Sequence, residues 1–150
     1  MKRMIAFIFA VLSLLCINFT QKQQIDFSCA QRAVLITSNP FENKDFLCSG
    51  SDYYTHFEGD EVGEILTSLH AVQGLKGLNL YFSNALDLSY FRSKIDYLSD
   101  KTIVGDYDIY YGYCNQFEDF KWVDGKKVNV QLAKTADGWI MGIPIILTGF

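Results

Sequence analysis

Histidine is scarce in this chain of 150 residues, with only His56 and His70 present. No serine or cysteine stands in a GxSxG or comparable nucleophile setting, so histidine-assisted hydrolysis has no local signature. Neither a CxxC nor a Cys/His spacing of the zinc kind occurs, and the 11 glycines are scattered, not gathered into a phosphate loop. No metal and no other cofactor is expected. Repeats, low-complexity tracts and linkers are missing too, and the length fits one domain with a real core. Positive charge is also short, at 13 Lys+Arg against 17 Asp+Glu. Such an acidic domain is repelled by phosphate backbones, which argues against nucleic acid, and the same sign weakens binding to anionic membranes. The partner that this charge fits is an unknown protein or a neutral or basic ligand.

One long apolar run is present, Met4–Ile17, preceded by Lys2 and Arg3. A basic start followed by an apolar stretch shorter than the roughly 20 residues of a membrane span reads as a signal peptide. The expected organisation is a leader over residues 1–20 and one domain over 21–150, secreted or associated with the cell envelope, with no membrane span after processing. An uncleaved anchor is the alternative. A lipid-modified Cys16 is a further one, although Leu15 before it is not the small residue such a site favours. Loss of Lys2 and Arg3 leaves 11 basic and 17 acidic residues, a net charge of about −6. Three cysteines then remain, so at most one intramolecular disulfide forms. Of the pairings, Cys29 with Cys48 is the first choice and Cys48 with Cys114 the alternative; the reading without a disulfide is three buried free thiols.

Periodicity supplies the elements. Ala33–Ser38 is apolar and β-branched, and Asp52–Gly59 alternates; both read as strands, separated by the turn chemistry of Asn39–Asp45. From Asp60 the spacing becomes helical, through Val62, Ile65, Leu66, Leu69 and Val72, with Asp60 as the expected N-cap. Leu78–Asn84 alternates again. Asp87 is expected to cap a second helix bearing Leu88, Phe91, Ile95 and Leu98 on one face, with Arg92 and Asp96 spaced as an i,i+4 pair. The last third reads as a three-stranded meander of Thr102–Cys114, Lys127–Thr135 and Trp139–Leu147. Asp137-Gly138 forms a tight turn, and Pro144 places the last strand at an edge or a bulge. The fold class is α+β, a largely antiparallel sheet with two amphipathic helices packed on one face.

The stretch Gly105–Cys114 holds four tyrosines. Strand parity puts Tyr107, Ile109, Tyr111 and Tyr113 on one face, expected beneath the helices. Asp106, Asp108, Tyr110 and Gly112 then form a water-facing strip. Asp106 and Asp108 would lie roughly 7 Å apart, near the separation of paired glycosidase carboxylates, with Glu118 and Asp119 just beyond; solvated surface charge explains them as well. Asn129 and Gln131 would put two amides beside Tyr110. These three residues, flanked by Asp106 and Asp108, make the candidate binding patch. No catalytic residues are assigned, and an enzyme is not expected. The function that fits is an exported acidic binding module. The alternatives are a small inhibitor or immunity protein against a toxin or hydrolase, and a carboxylate-dependent hydrolase.

Gly125-Lys126-Lys127 leads into a segment with Asn129-x-Gln131, and the chain closes on Gly142-x-Pro144-Ile145-Ile146. This order resembles the end of the YwmB-type secreted proteins of spore-forming bacteria. The resemblance covers the C-terminal third only. Ile143 and the Gly149-Phe150 end depart from the family pattern, and the chain is short for it. The resemblance implies a fold like that of the TATA-box-binding protein and no established enzymatic activity.

Overall fold

Ala33 to Thr37 are buried without interruption, and that run forms the middle of a sheet. The computed structural model describes residues 26–146; the leader with Cys16, and Gly149-Phe150, lie outside the described residues. Strands β1 (Arg32–Thr37), β2 (Phe46–Ser49) and β3 (Asp52–Glu58) come first. Helix α1 (Asp60–Ser68) and a 3-10 turn (Leu69–Ala71) lead to β4 (Leu75–Ser83). Helix α2 (Leu88–Lys94) precedes β5 (Tyr97–Leu98), β6 (Thr102–Val104) and β7 (Tyr107–Tyr113). A separate hairpin, β8 (Lys121–Val123) with β9 (Lys126–Val128), is followed by β10 (Val130–Lys134) and β11 (Gly138–Ile143).

Among the described residues every strand pairing is antiparallel. The main sheet runs β2-β3-β1-β4-β11-β10-β7-β5, with β6 also paired to β7. The C-terminal meander is present as β7-β10-β11, but two of its details differ from expectation. The segment from Thr102 is a hairpin, broken at Gly105 (φ 60°), so Asp106 sits in a turn and not on a strand. Strand β11 is central, pairing β4 from Gly138–Ser83 to Ile143–Leu78. It ends at Ile143, so the missing N–H of Pro144 falls outside the ladder.

Register aligns one face. Phe57, Ala33, Leu80, Met141, Leu132 and Tyr110 form a row across six strands. Leu35, Leu78 and Ile143 form the next row. Both rows belong to one buried cluster with Val62, Ile65 and Leu66 of α1 and Phe91 of α2. The α+β class, mostly antiparallel with two helices, therefore stands. Phe91 is fully buried and meets Phe82 edge-to-face, with ring centroids 5.1 Å apart; Trp139 lies at the same distance, tilted.

The parity of β7 is as expected, but its faces are inverted. Tyr110 lies opposite Leu132 on the helix-covered face, only 8% exposed, with its ring 6.2 Å from that of Trp139. Tyr107, Tyr111 and Tyr113 are half-buried on the other face with Ile109. Gly112 shares the helix side because Ile95–Leu98 crosses there. A Cβ at Gly112 would stand 2.6 Å from the Tyr97 carbonyl oxygen.

The helix ends follow local chemistry. Asp87 caps α2, its Oδ1 accepting from the Ser89 and Tyr90 N–H groups at 2.9 and 3.3 Å. The Ser89 hydroxyl bond, first, and these amides hold the Asp87 carboxyl below its usual range. On α1 the cap position is Gly59 (φ 57°), and Asp60 is the first helical residue. Helix α2 stops at Lys94, so Leu98 falls on β5 and Asp96 lies past the helix, outside any i,i+4 pairing with Arg92.

Truncating Phe91 to Ala should cost about 3–5 kcal/mol, because the surrounding rings cannot collapse into the space. Urea denaturation reads this directly. Phe46→Ala, at an exposed edge position, should shift the same curve by less than about 1 kcal/mol.

A cleft at the strand seam

Where β4 meets the end of β11, the sheet opens into a cleft of about 760 Å³. The end of α1 and the 3-10 turn supply one wall (Leu66, Thr67, Leu69 and His70). The start of β4 contributes Leu75–Leu78, β11 contributes Ile143 and Pro144, and the loop Asn115–Asp119 closes the far side. Leu66, Leu69, Leu78, Phe117 and Ile143 are buried and make an apolar floor. His70, Lys76, Asn115, Glu118 and Asp119 are exposed around it. This combination of an apolar base and a few polar groups, at this volume, is the form that ligand sites take.

The loop wall is held by a buried amide. Asn129 is fully buried, and its Oδ1 accepts from Cys114 N–H at 2.8 Å. Its Nδ2 donates to the carbonyls of Cys114 at 2.8 Å and Phe117 at 3.0 Å. One side chain thus satisfies three backbone groups of a non-repetitive turn, which burial otherwise makes costly. Further ties fix the same loop. Asn115 N–H donates to Asp96 Oδ2 at 2.7 Å, Asp26 N–H donates to Gln116 Oε1 at 3.0 Å, and Phe117 stacks on Phe27 with centroids 6.3 Å apart. On the opposite rim, Lys76 bonds Asp52, and this bond is the main cause that lowers the Asp52 carboxyl.

The residues chosen from sequence are dispersed. Tyr110 is in the core, and Asn129 is a buried clamp, so neither presents a recognition surface. Gln131 is half-buried, and its Oε1 accepts from Ile146 N–H at 3.0 Å. It pairs with Gly142, where a Cβ would lie 2.2 Å from the Ile146 nitrogen. Asp106 is exposed in its turn, and Asp108 pairs with Lys101 at 3.3 Å. Neither aspartate lines the cleft, whereas Glu118, Asp119 and His70 do. His56 is exposed on β3.

The expected cysteine pairings are overturned, since Cys29, Cys48 and Cys114 are all free. Cys48 faces Tyr53, which pairs with Thr37 at one end of β1, while Cys29 precedes Arg32 at the other end. Six strand residues span about 20 Å, beyond disulfide reach. Cys48 and Cys114 belong to opposite halves of the sheet. Cys29 Sγ instead lies 2.7 Å from the Tyr90 hydroxyl. Burial pushes the Cys114 thiol above its usual pKa.

Sequence reasoning misses the cleft because its walls come from four separate segments. Comparison with known proteins adds nothing to the geometry: no protein-family model, no curated protein and no solved structure matches the chain.

Removing the clamp with Asn129→Ala should destabilise the protein by about 3 kcal/mol, through the unpaired backbone groups left behind. Cys114 should then alkylate faster, while Cys29 and Cys48 keep their rates. Peptide mapping by mass spectrometry after timed iodoacetamide treatment measures both effects. In the unaltered protein the two exposed cysteines should react well before Cys114.

Proposed function

We propose that the protein is an exported binding module whose ligand or partner enters the cleft between the 3-10 turn and the Asn115–Asp119 loop. The observation that carries this reading is the apolar floor of Leu66, Leu69, Leu78, Phe117 and Ile143, open at a rim that bears Glu118 and Asp119. Lys76 is already engaged by Asp52, so the free charge of the rim is acidic. A neutral or singly basic group with an apolar body suits that chemistry, and a protruding side chain of a partner protein is one way to supply it. The small-inhibitor alternative uses the same cleft with the roles of host and guest defined by the partner.

Asp106 lies in a turn and Asp108 is ion-paired with Lys101, both away from the cleft, so the carboxylate-dependent hydrolase alternative rests on Glu118 and Asp119 at the rim. Export rests on the basic-then-apolar leader alone. Kinship with the YwmB-type proteins, and with it a TATA-box-binding-protein-like arrangement, remains part of the proposal. It is supported by the way Gln131, Gly142 and Ile146 meet in one contact.

Capture from the exported fraction tests the reading when combined with two variants. Thr67→Trp fills the mouth of the cleft, and Glu118→Lys with Asp119→Lys reverses its rim. Each should lower retention of the captured species by about tenfold or more while circular dichroism is unchanged. Undiminished retention in both folded variants would remove the cleft from the account.

A further inference from the structure

Asp119 is the last residue of the loop that lines the cleft, and Phe120 leads directly from it into the hairpin β8–β9. Asp124-Gly125 closes that hairpin, both with positive φ (48° and 74°), the type I′ pattern. Register sorts its side chains. Lys121 pairs with Val128 and Val123 with Lys126 on the inner side, where Val128 is buried and Lys126 donates to the Tyr97 hydroxyl at 2.7 Å. Trp122 pairs with Lys127 on the outer side, which Phe120 shares two residues earlier. Trp122 is 65% exposed and Phe120 40% exposed. Their rings meet edge-to-face with centroids 5.8 Å apart, and the Lys127 ammonium lies 4.5 Å from the Phe120 centroid. Exposed aromatic rings in contact are the composition of interface anchors.

Charge sets the kind of partner. Lys127 is the one cation of the outer side, against Glu118 and Asp119 before the hairpin and Asp124 at its turn. Among the described residues none of these three carboxylates forms an ion pair. Lys76, across the cleft, is engaged by Asp52. The cleft rim and the hairpin thus adjoin, carry unpaired negative charge, and offer apolar surface at both ends. A cation flanked by apolar groups complements such a surface. Distance sets the partner's extent. Asp119 and Trp122 are three residues apart, at most about 11 Å along the backbone. A small amine would occupy the cleft and leave Trp122 in water, whereas three or four residues of extended polypeptide reach both.

We propose that the partner is a polypeptide segment with a lysine or arginine about three residues from a bulky apolar residue. The basic side chain enters the cleft beside Glu118 and Asp119, and the apolar one packs on Trp122 and Phe120. This inference rests on the cleft as the binding site and adds the hairpin as a second contact of the same partner.

Trp122 emission reports the hairpin, since the other tryptophan, Trp139, is buried. Amide hydrogen exchange at Leu66–His70 reports the cleft. The probe is a capped six-residue alanine peptide carrying one lysine and, three positions on, one phenylalanine. Titrated into the purified chain, it should shift Trp122 emission to the blue and slow exchange at Leu66–His70 over the same concentrations. Glutamate in place of the lysine, or alanine in place of the phenylalanine, should weaken both responses by about tenfold. Reversing the rim with Glu118→Lys and Asp119→Lys should weaken the Trp122 response by about as much, with circular dichroism unchanged. Hexylamine, the small-amine control, should leave Trp122 emission where it is. Slowed exchange in the cleft with Trp122 emission unmoved by the peptide would overturn this inference and leave the cleft reading standing. A Trp122 shift that survives rim reversal, or an equal shift with the glutamate peptide, would overturn it as well. So would the absence of any response, in which case retention by the Thr67→Trp variant decides the cleft reading separately.

Discussion

The side chain of Asn129 carries more of this structure than its size suggests. Between β7 and β8 the chain leaves the sheet, and its backbone groups lose their ladder partners while still buried. Asn129 replaces those partners: its Nδ2 donates to two backbone carbonyls and its Oδ1 accepts from one backbone N–H. Phe117 is thereby fixed over Phe27, and the loop becomes a wall of the cleft. A carboxylate at this position could accept from Cys114 but could not donate, and an aliphatic residue could do neither. The requirement is for an amide, at a place where the strand pattern alone would accept almost any polar residue.

Gln131 acts in the same way two residues later, near the start of β10. It takes the Ile146 N–H just after β11 has ended, while Gly142 leaves room for the returning backbone. The two amides that look like a recognition patch in the sequence are thus both internal supports, each capturing main chain as it departs from the sheet. Gln131, Gly142 and Ile146 are in contact with one another, and what they share is support of main chain leaving the sheet.

Much of the fold is legible from periodicity. Val62, Ile65 and Leu66 define α1, Asp87 announces α2, and the alternation from Lys127 onward marks the closing strand pairs. The choice of face is less accessible. Alternation separates Tyr110 from Tyr111 but does not say which of them the helices cover. That is decided by pairing with Leu132 and by the close crossing at Gly112. Pro144 misleads for a related reason: it bars a ladder position only if the strand extends that far, and β11 stops one residue earlier. A second Asp-Gly pair, at Asp124-Gly125, carries the same turn signal as Asp137-Gly138, and it sets off the hairpin. The cleft is the least legible feature, since its lining comes from residues 66–78, 115–119 and 143–144, which are far apart in the sequence.

The account stands or falls on whether the Cys114–Asp119 loop is a rigid wall that a partner covers. Backbone amide hydrogen exchange, followed with and without the captured partner, tests this most directly. The Cys114 amide, bonded to Asn129, should exchange as slowly as the central strands in both states. Partner binding should slow exchange at Leu66–His70 and Asn115–Asp119 and leave β2 unchanged. Rapid exchange at Cys114 in the free protein, or protection confined to other surfaces, would contradict the account.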